Sequence, residues 1–174
     1  MVNQEICMSI EKDILAWDGK SADAIRAVFE SYHKKTGFLQ TIVRLAKDPS
    51  FQKGATWLLK AALESGQKLQ KKQVKEIYGS LDSRAHWETK LHILQSVPYM
   101  PVEKDSVQHL YNFLRATLTD SKKFVRAWSY NGFYELAVQY PEYVNEANQL
   151  FEKAMNDEAA SVKARIRNIV KKGF

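Results

Sequence analysis

The stretch DSKKFVRAWSYNGFYELAVQY, residues 120–140, constrains this chain more than any other, because it reads as one complete helix and is echoed elsewhere in the sequence. Asp120 or Ser121 is placed to cap the first free amides, the helical pattern runs on unbroken, and Pro141 drives Tyr140 out of the helical region. Shorter versions begin at Asp48 (DPSFQKGATWLLKAALESG), Asp82 (DSRAHWETKLHILQSV) and Asp157 (DEAASVKARIRNIVKK), each opening on an acidic cap. A unit of this kind cannot bury its apolar face alone. Its recurrence implies helical pairs that stack, each against its neighbours.

The remaining text supplies the partners. Ile6, Ile10, Ile14 and Trp17 fall at helical spacing, Gly19 and Ser21 mark a break and a new cap, and Ile25, Phe29 and Tyr32 continue until Gly37. Residues 1–36 therefore read as a capping helix pair and residues 37–174 as four further pairs, about ten helices in one domain. FLQTIVRLAK precedes the Asp48 helix, QVKEIYGSL the Asp82 helix, DSVQHLYNFLRATL the template helix and PEYVNEANQLFEKAM the last one. Pro141 suits a helix start, where its missing amide is not needed. Seven glycines and four prolines are too few for an all-β chain, and the expected fold is all-α, a right-handed α-solenoid of stacked antiparallel pairs.

Composition removes several classes of function. Cys7 is the sole cysteine, so neither a disulfide framework nor a cysteine zinc site can be assembled. No apolar run approaches the ~20 residues of a membrane span, and the N-terminus lacks a basic segment followed by an apolar one. No membrane association and a cytoplasmic location are the expectations. His33, His86, His92 and His109 are scattered without metal-ligand spacing, and the glycines are isolated, so neither a metal nor a phosphate loop is expected. No nucleophile stands beside a base, and neither catalytic residues nor cofactors are assigned. The net charge of +6 favours an acidic or polyanionic partner, while Lys68, Lys71, Lys72 and Lys75 read as a solvated face of a short helix.

Asp120 with Val125, Arg126 and Ala127, and Asp157 with Val162, Lys163 and Ala164, give this layout the pattern of a HEAT-like repeat, which the chain resembles from about Gly37 to Phe174. The resemblance implies acid-to-arginine contacts between neighbouring repeats. Gly54 and Glu88 stand where the family usually carries Arg or Lys, so the resemblance does not extend that ladder to the Asp48 and Asp82 units.

Advancing 100° per residue places Val125, Tyr130, Gly132, Phe133, Leu136 and Ala137 on the apolar arc of the template helix, opposite Phe124, Trp128, Asn131, Glu135 and Gln139. In the Asp48 helix Ala55, Leu58, Leu59 and Ala62 oppose Lys53, Trp57, Lys60 and Glu64. In the last helix Val162, Ile166, Ile169 and Val170 oppose Ser161, Arg165, Asn168 and Lys172. In the Asp82 helix Trp87 groups with Leu91 and Leu94, with Lys90 nearby, so Trp87 and Trp17 should lie deeper than Trp57 and Trp128. In register, Trp57 with Lys60, Trp87 with Lys90, Trp128 with Asn131 and Arg165 with Asn168 form a ladder, each pair on one helical face.

Two readings of that ladder stand side by side: tryptophans that fill gaps between repeats, or a concave aromatic and basic groove lined by Lys53, Trp57, Lys60, Trp87, Lys90, Phe124, Trp128, Asn131, Glu135, Arg165, Asn168 and Lys172. The groove also resembles, more remotely, that of HEAT-like DNA alkylation repair glycosylases, which pair tryptophans with a catalytic carboxylate. Ala61, Leu91 and Gly132 follow the ladder tryptophans by four residues, so no catalytic residue carries over, and Glu64 and Glu135 read as partners for lysine. The functional expectation is a non-catalytic binding module for a protein or peptide partner, with a nucleic-acid-binding protein as the alternative.

Overall fold

The computed structural model describes residues 2–83 and 86–174, with side chains from Met8 onward. The expectations for Ile6 and Cys7 concern side chains outside that set, and residues 84–85 of the Asp82 stretch also lie outside it. The described residues form ten α-helices and short 3-10 turns, with no strand among them. In chain order these are α1 (Val2–Ala16), α2 (Ala22–Tyr32), α3 (Phe38–Leu45), α4 (Gln52–Glu64), α5 (Lys71–Tyr78), α6 (Trp87–Ser96), α7 (Val107–Thr117), α8 (Lys123–Gln139), α9 (Val144–Asp157) and α10 (Ala160–Val170).

Punctuation in the sequence sets several of these boundaries. Ser21 caps α2, its hydroxyl accepting from the Ala24 amide at 3.1 Å. Gly66, at φ +93°, takes the left-handed turn that ends α4 and lets the Gln67 amide reach the Ala62 carbonyl at 3.0 Å. The acidic residues expected to cap the repeated helices do something else. The residues that immediately precede α4, α8 and α10 are Phe51, Lys122 and Ala159, none with a capping side-chain bond, and α6 starts at Trp87 behind His86. Asp48 and Asp120 instead fold the turn before the helix, their carboxylates accepting from the Ser50 and Lys122 amides at 2.9 Å. Pro141 opens a 3-10 turn that leads into α9.

Even-numbered helices pack in succession, α2 on α4, α4 on α6, α6 on α8 and α8 on α10, while α1 meets α3 and α3 meets α5. Leu58, Leu59, Ile93, Val125, Phe133 and Leu136 lie in a first core that runs from α1 to α8. Ala127, Tyr130, Phe151, Val162 and Ile166 lie in a second that joins α8 to α9 and α10. Helix α8 belongs to both, which is why residues on most of its circumference are buried. Helix crossings are close at two glycines: a Cβ on Gly54 would fall 2.8 Å from Ile14, and one on Gly132 would collide with a methyl of Leu114. Val170, expected in the core, is instead 57% exposed and lines an apolar cavity of about 470 Å³ with Phe151, Met155 and Ile166.

Candidate functional site

The residues singled out from the sequence lie on α4, α6, α8 and α10, helices that touch one another in that order, with Lys172 just past the last of them. Their cations are largely engaged. Lys53 on α4 meets Glu88 on α6 at 2.5 Å, Lys90 on α6 meets Asp120 before α8 at 3.0 Å, and Arg126 on α8 grips Glu158 before α10 with bonds of 2.7 and 2.9 Å. Arg126 also donates to the Asp120 carbonyl at 2.8 Å, tying the turn before its own helix to the turn before the next. Ion pairs therefore join α4 to α6 and α6 to the turn before α8 as well, without the Asp48 or Asp82 carboxylates. Lys53 and Lys90 carry them, each one or two residues from Gly54 and Glu88, and Glu88 serves as an acceptor.

A second set of pairs joins the odd-numbered helices: Arg44 to Glu11 at 2.5 Å, Lys47 to Glu76 at 2.6 Å, Lys71 to Glu103 at 3.0 Å, Lys75 to Asp105, and Arg115 to Glu146 at 3.2 Å. Lys68, Lys71, Lys72 and Lys75 are all exposed, as a solvated face should be, and Lys71 and Lys75 meet their carboxylates at that surface.

All four tryptophans fall in one intermediate range of exposure, neither enclosed nor open. Three of them carry a contact that helical phase alone does not reveal. Lys53 lies 5.7 Å from the Trp17 ring centre, Lys122 lies 5.6 Å from that of Trp87, and the Arg165 guanidinium carbon lies 3.9 Å from that of Trp128. In each case the cation comes from the helix, or helix entry, about one unit further along the chain. A tryptophan followed some 36 residues later by a basic residue is the sequence signal that would have found them.

The other candidate residues divide. Lys60 bonds Glu64 one turn along α4 at 2.7 Å, so Glu64 is the lysine partner it was expected to be. Phe124 is 54% exposed beside Lys123, whose ammonium lies 5.5 Å from its ring centre. Asn131 is a correction: only 5% exposed, it lies inside and its side chain hydrogen-bonds Glu135. Burial raises the Glu135 carboxyl, against the pull of Lys172 and of Asn131. Asn168 and Lys172 are exposed, and Lys172 lies 5.4 Å from the Tyr134 ring centre.

His92 is the functional-looking side chain that pattern reading passed over. It lies between α4 and α6, its Nδ1 at 3.1 Å from the Thr56 hydroxyl. That hydroxyl donates to the Gln52 carbonyl at 2.7 Å, so it accepts from His92. Burial, with Lys60, Lys53 and His86 nearby, pulls the imidazole down to about 3. Asp120 lies below the carboxylate range: burial pushes it up, but the Lys122 amide and Lys90 pull harder. Among the described residues no group of His, Cys, Asp and Glu could hold a metal ion, and no helix is long and apolar enough to cross a membrane.

No family model, curated protein or solved structure matches this chain.

Proposed function

We propose that this chain is a HEAT-like right-handed α-solenoid, four helix pairs over residues 37–174 capped by residues 1–36, acting as a non-catalytic module that holds a protein or peptide partner along α4, α6, α8 and α10. Support for the architecture comes from the succession of even-numbered helices and from ion pairs that join residues 29 to 35 positions apart, the length of one repeat. Support for the function comes from one observation: Lys53, Lys60 and Lys90 are each met by a carboxylate within 3.0 Å. A surface for a polyanion needs free positive charge along its length, since counterion release drives that binding. Nucleobases stack on open aromatic faces, and here Trp128 has Arg165 on its ring. What remains is a mixed surface of half-buried aromatics, carboxylates and cations, the composition of a peptide-holding face.

Panning a random peptide library on the wild type and on Trp57→Glu tests the reading. Clones that enrich on the wild type and fail on Trp57→Glu are the expected result. If no clone enriches, or if enriched clones ignore the variant, the reading fails. Tight retention of single-stranded oligonucleotide in physiological salt would transfer the surface to nucleic acid.

A further inference from the structure

Resting on that reading, we infer that the partner segment is acidic and that it docks on the N-terminal part of α8, between α6 and α10, its carboxylates held by Lys122, Lys123 and Arg165 and an apolar side chain lying on Phe124. The surface is divided by how its cations are neutralised. Toward α4 each of Lys53, Lys60 and Lys90 has a carboxylate. Toward α10 the cations sit on rings instead: Lys122 against Trp87, Lys123 against Phe124 and Arg165 against Trp128. None of these three makes an ion pair among the described residues.

A ring attracts a cation through its quadrupole and leaves the N–H donors unsatisfied. For Arg165 the geometry is specific. Its central carbon lies 3.9 Å over the indole centre, a ring takes none of the guanidinium N–H donors in an ion pair, and those donors match a carboxylate two at a time. It is also half-buried, and a cation withdrawn from water without a counter-charge is a strained arrangement that an incoming anion relieves. Burial acts in the same direction on its proton affinity, drawing it below the ordinary arginine value.

The size of the region selects the class of anion. Asp120 closes the cluster at one end, and Glu135, half-buried on α8, stands at the other. Beyond Asp120, Lys53 and Lys60 are already matched by Glu88 and Glu64 and offer little free positive charge to a phosphate backbone running on along α6 and α4. Room for charge is therefore short and bounded, enough for two or three acidic side chains but not for an extended polyanion. Phe124, more than half exposed one turn before Trp128, gives the segment an apolar contact inside the cluster.

The probe is a fluorescein-labelled peptide alternating glutamate with leucine, read by anisotropy against the same peptide with glutamine for glutamate and against single-stranded oligothymidine. The glutamate peptide should bind, and its glutamine counterpart should be weaker by about tenfold or more. Arg165→Gln and the double change Lys122→Glu with Lys123→Glu should each weaken it by about tenfold, while Lys71→Gln on α5 leaves it within about twofold. Circular dichroism melts identify any variant that fails to fold, and the exposed lysine pair keeps the test open if Arg165→Gln does. Equal binding of the glutamine peptide, indifference to both sets of substitutions, or tighter binding of oligothymidine overturns the inference. Library clones that need Trp57 but are neutral and ignore Arg165→Gln overturn it while leaving the binding-module reading in place. A library that yields nothing removes both.

Discussion

His92 is held neutral between α4 and α6 by burial and by the positive charges of Lys60 and Lys53, and that fixes how the fold responds to acid. An unfolded histidine takes up a proton below about 6.5, whereas the folded one resists until about 3. Stability from this group is complete above about 6.5 and falls as pH drops below it, by up to about 1.4 kcal/mol per pH unit. Urea midpoints from pH 7 to pH 5 should therefore decline less steeply in His92→Asn than in the wild type; parallel declines would contradict the assignment. Gly132 is constrained differently. A methyl there strikes Leu114 on α7, so Gly132→Ala should cost about 1–3 kcal/mol of overpacking in denaturant titrations, a cost that Leu114→Ala in the same chain partly relieves. At this scale apolar identity is legible in the sequence, since Val125, Phe133 and Leu136 are buried where their phase puts them. Polar burial is not: Asn131 sits opposite the apolar arc yet inside, because α8 is covered by α6 on one side and α10 on the other.

Between elements, the ion pairs differ in what surrounds them, and their contributions should differ accordingly. Arg126 and Glu158 are mostly shielded from water, share two hydrogen bonds and join α8 to the turn before α10. Arg126→Met should cost about 1.5–3 kcal/mol, the range for hydrogen bonds to charged groups. Lys71 and Glu103 face solvent, and Lys71→Met should change stability by no more than about 1 kcal/mol. Matched urea titrations decide it, and equal losses would mean that shielding has no role. The number, type and approximate limits of the helices follow from period and punctuation alone. Their starts are misread from the sequence because Asp48 and Asp120 look like caps, whereas in space they order the turns ahead of the helix, and Asp120 also receives a lysine from the unit before. Local pattern cannot distinguish a cap from a tertiary acceptor, since both call for a short acid at the same place.

For the molecule as a whole, the two cores make a directional prediction. Val162, Ile166 and Ile169 of α10 pack in the second core, while the first core extends from α1 to α8 without them. A chain ending at Asp157 should lose amide protection on α8 and α9 but keep it on α2 and α4, as hydrogen exchange would reveal; uniform loss would mean that the cores are not separable. Helix order is legible in the repeats, and the division of the surface into a neutralised part and a free one is not. It depends on whether a lysine finds a carboxylate or a ring some 35 residues away along the chain: Lys53 finds Glu88 ahead of it and Trp17 behind it, while among the described residues Lys122 finds Trp87 behind it and no carboxylate. The same spacing has a consequence for how the protein is made. The ladder contacts join residues 29 to 35 positions apart, and the Tyr140 hydroxyl that bonds the Val102 carbonyl reaches back only 38. A helix leaving the ribosome therefore finds its partners in the stretch of chain synthesised just before it, and these pairings can form in the order of translation without waiting for the C-terminus.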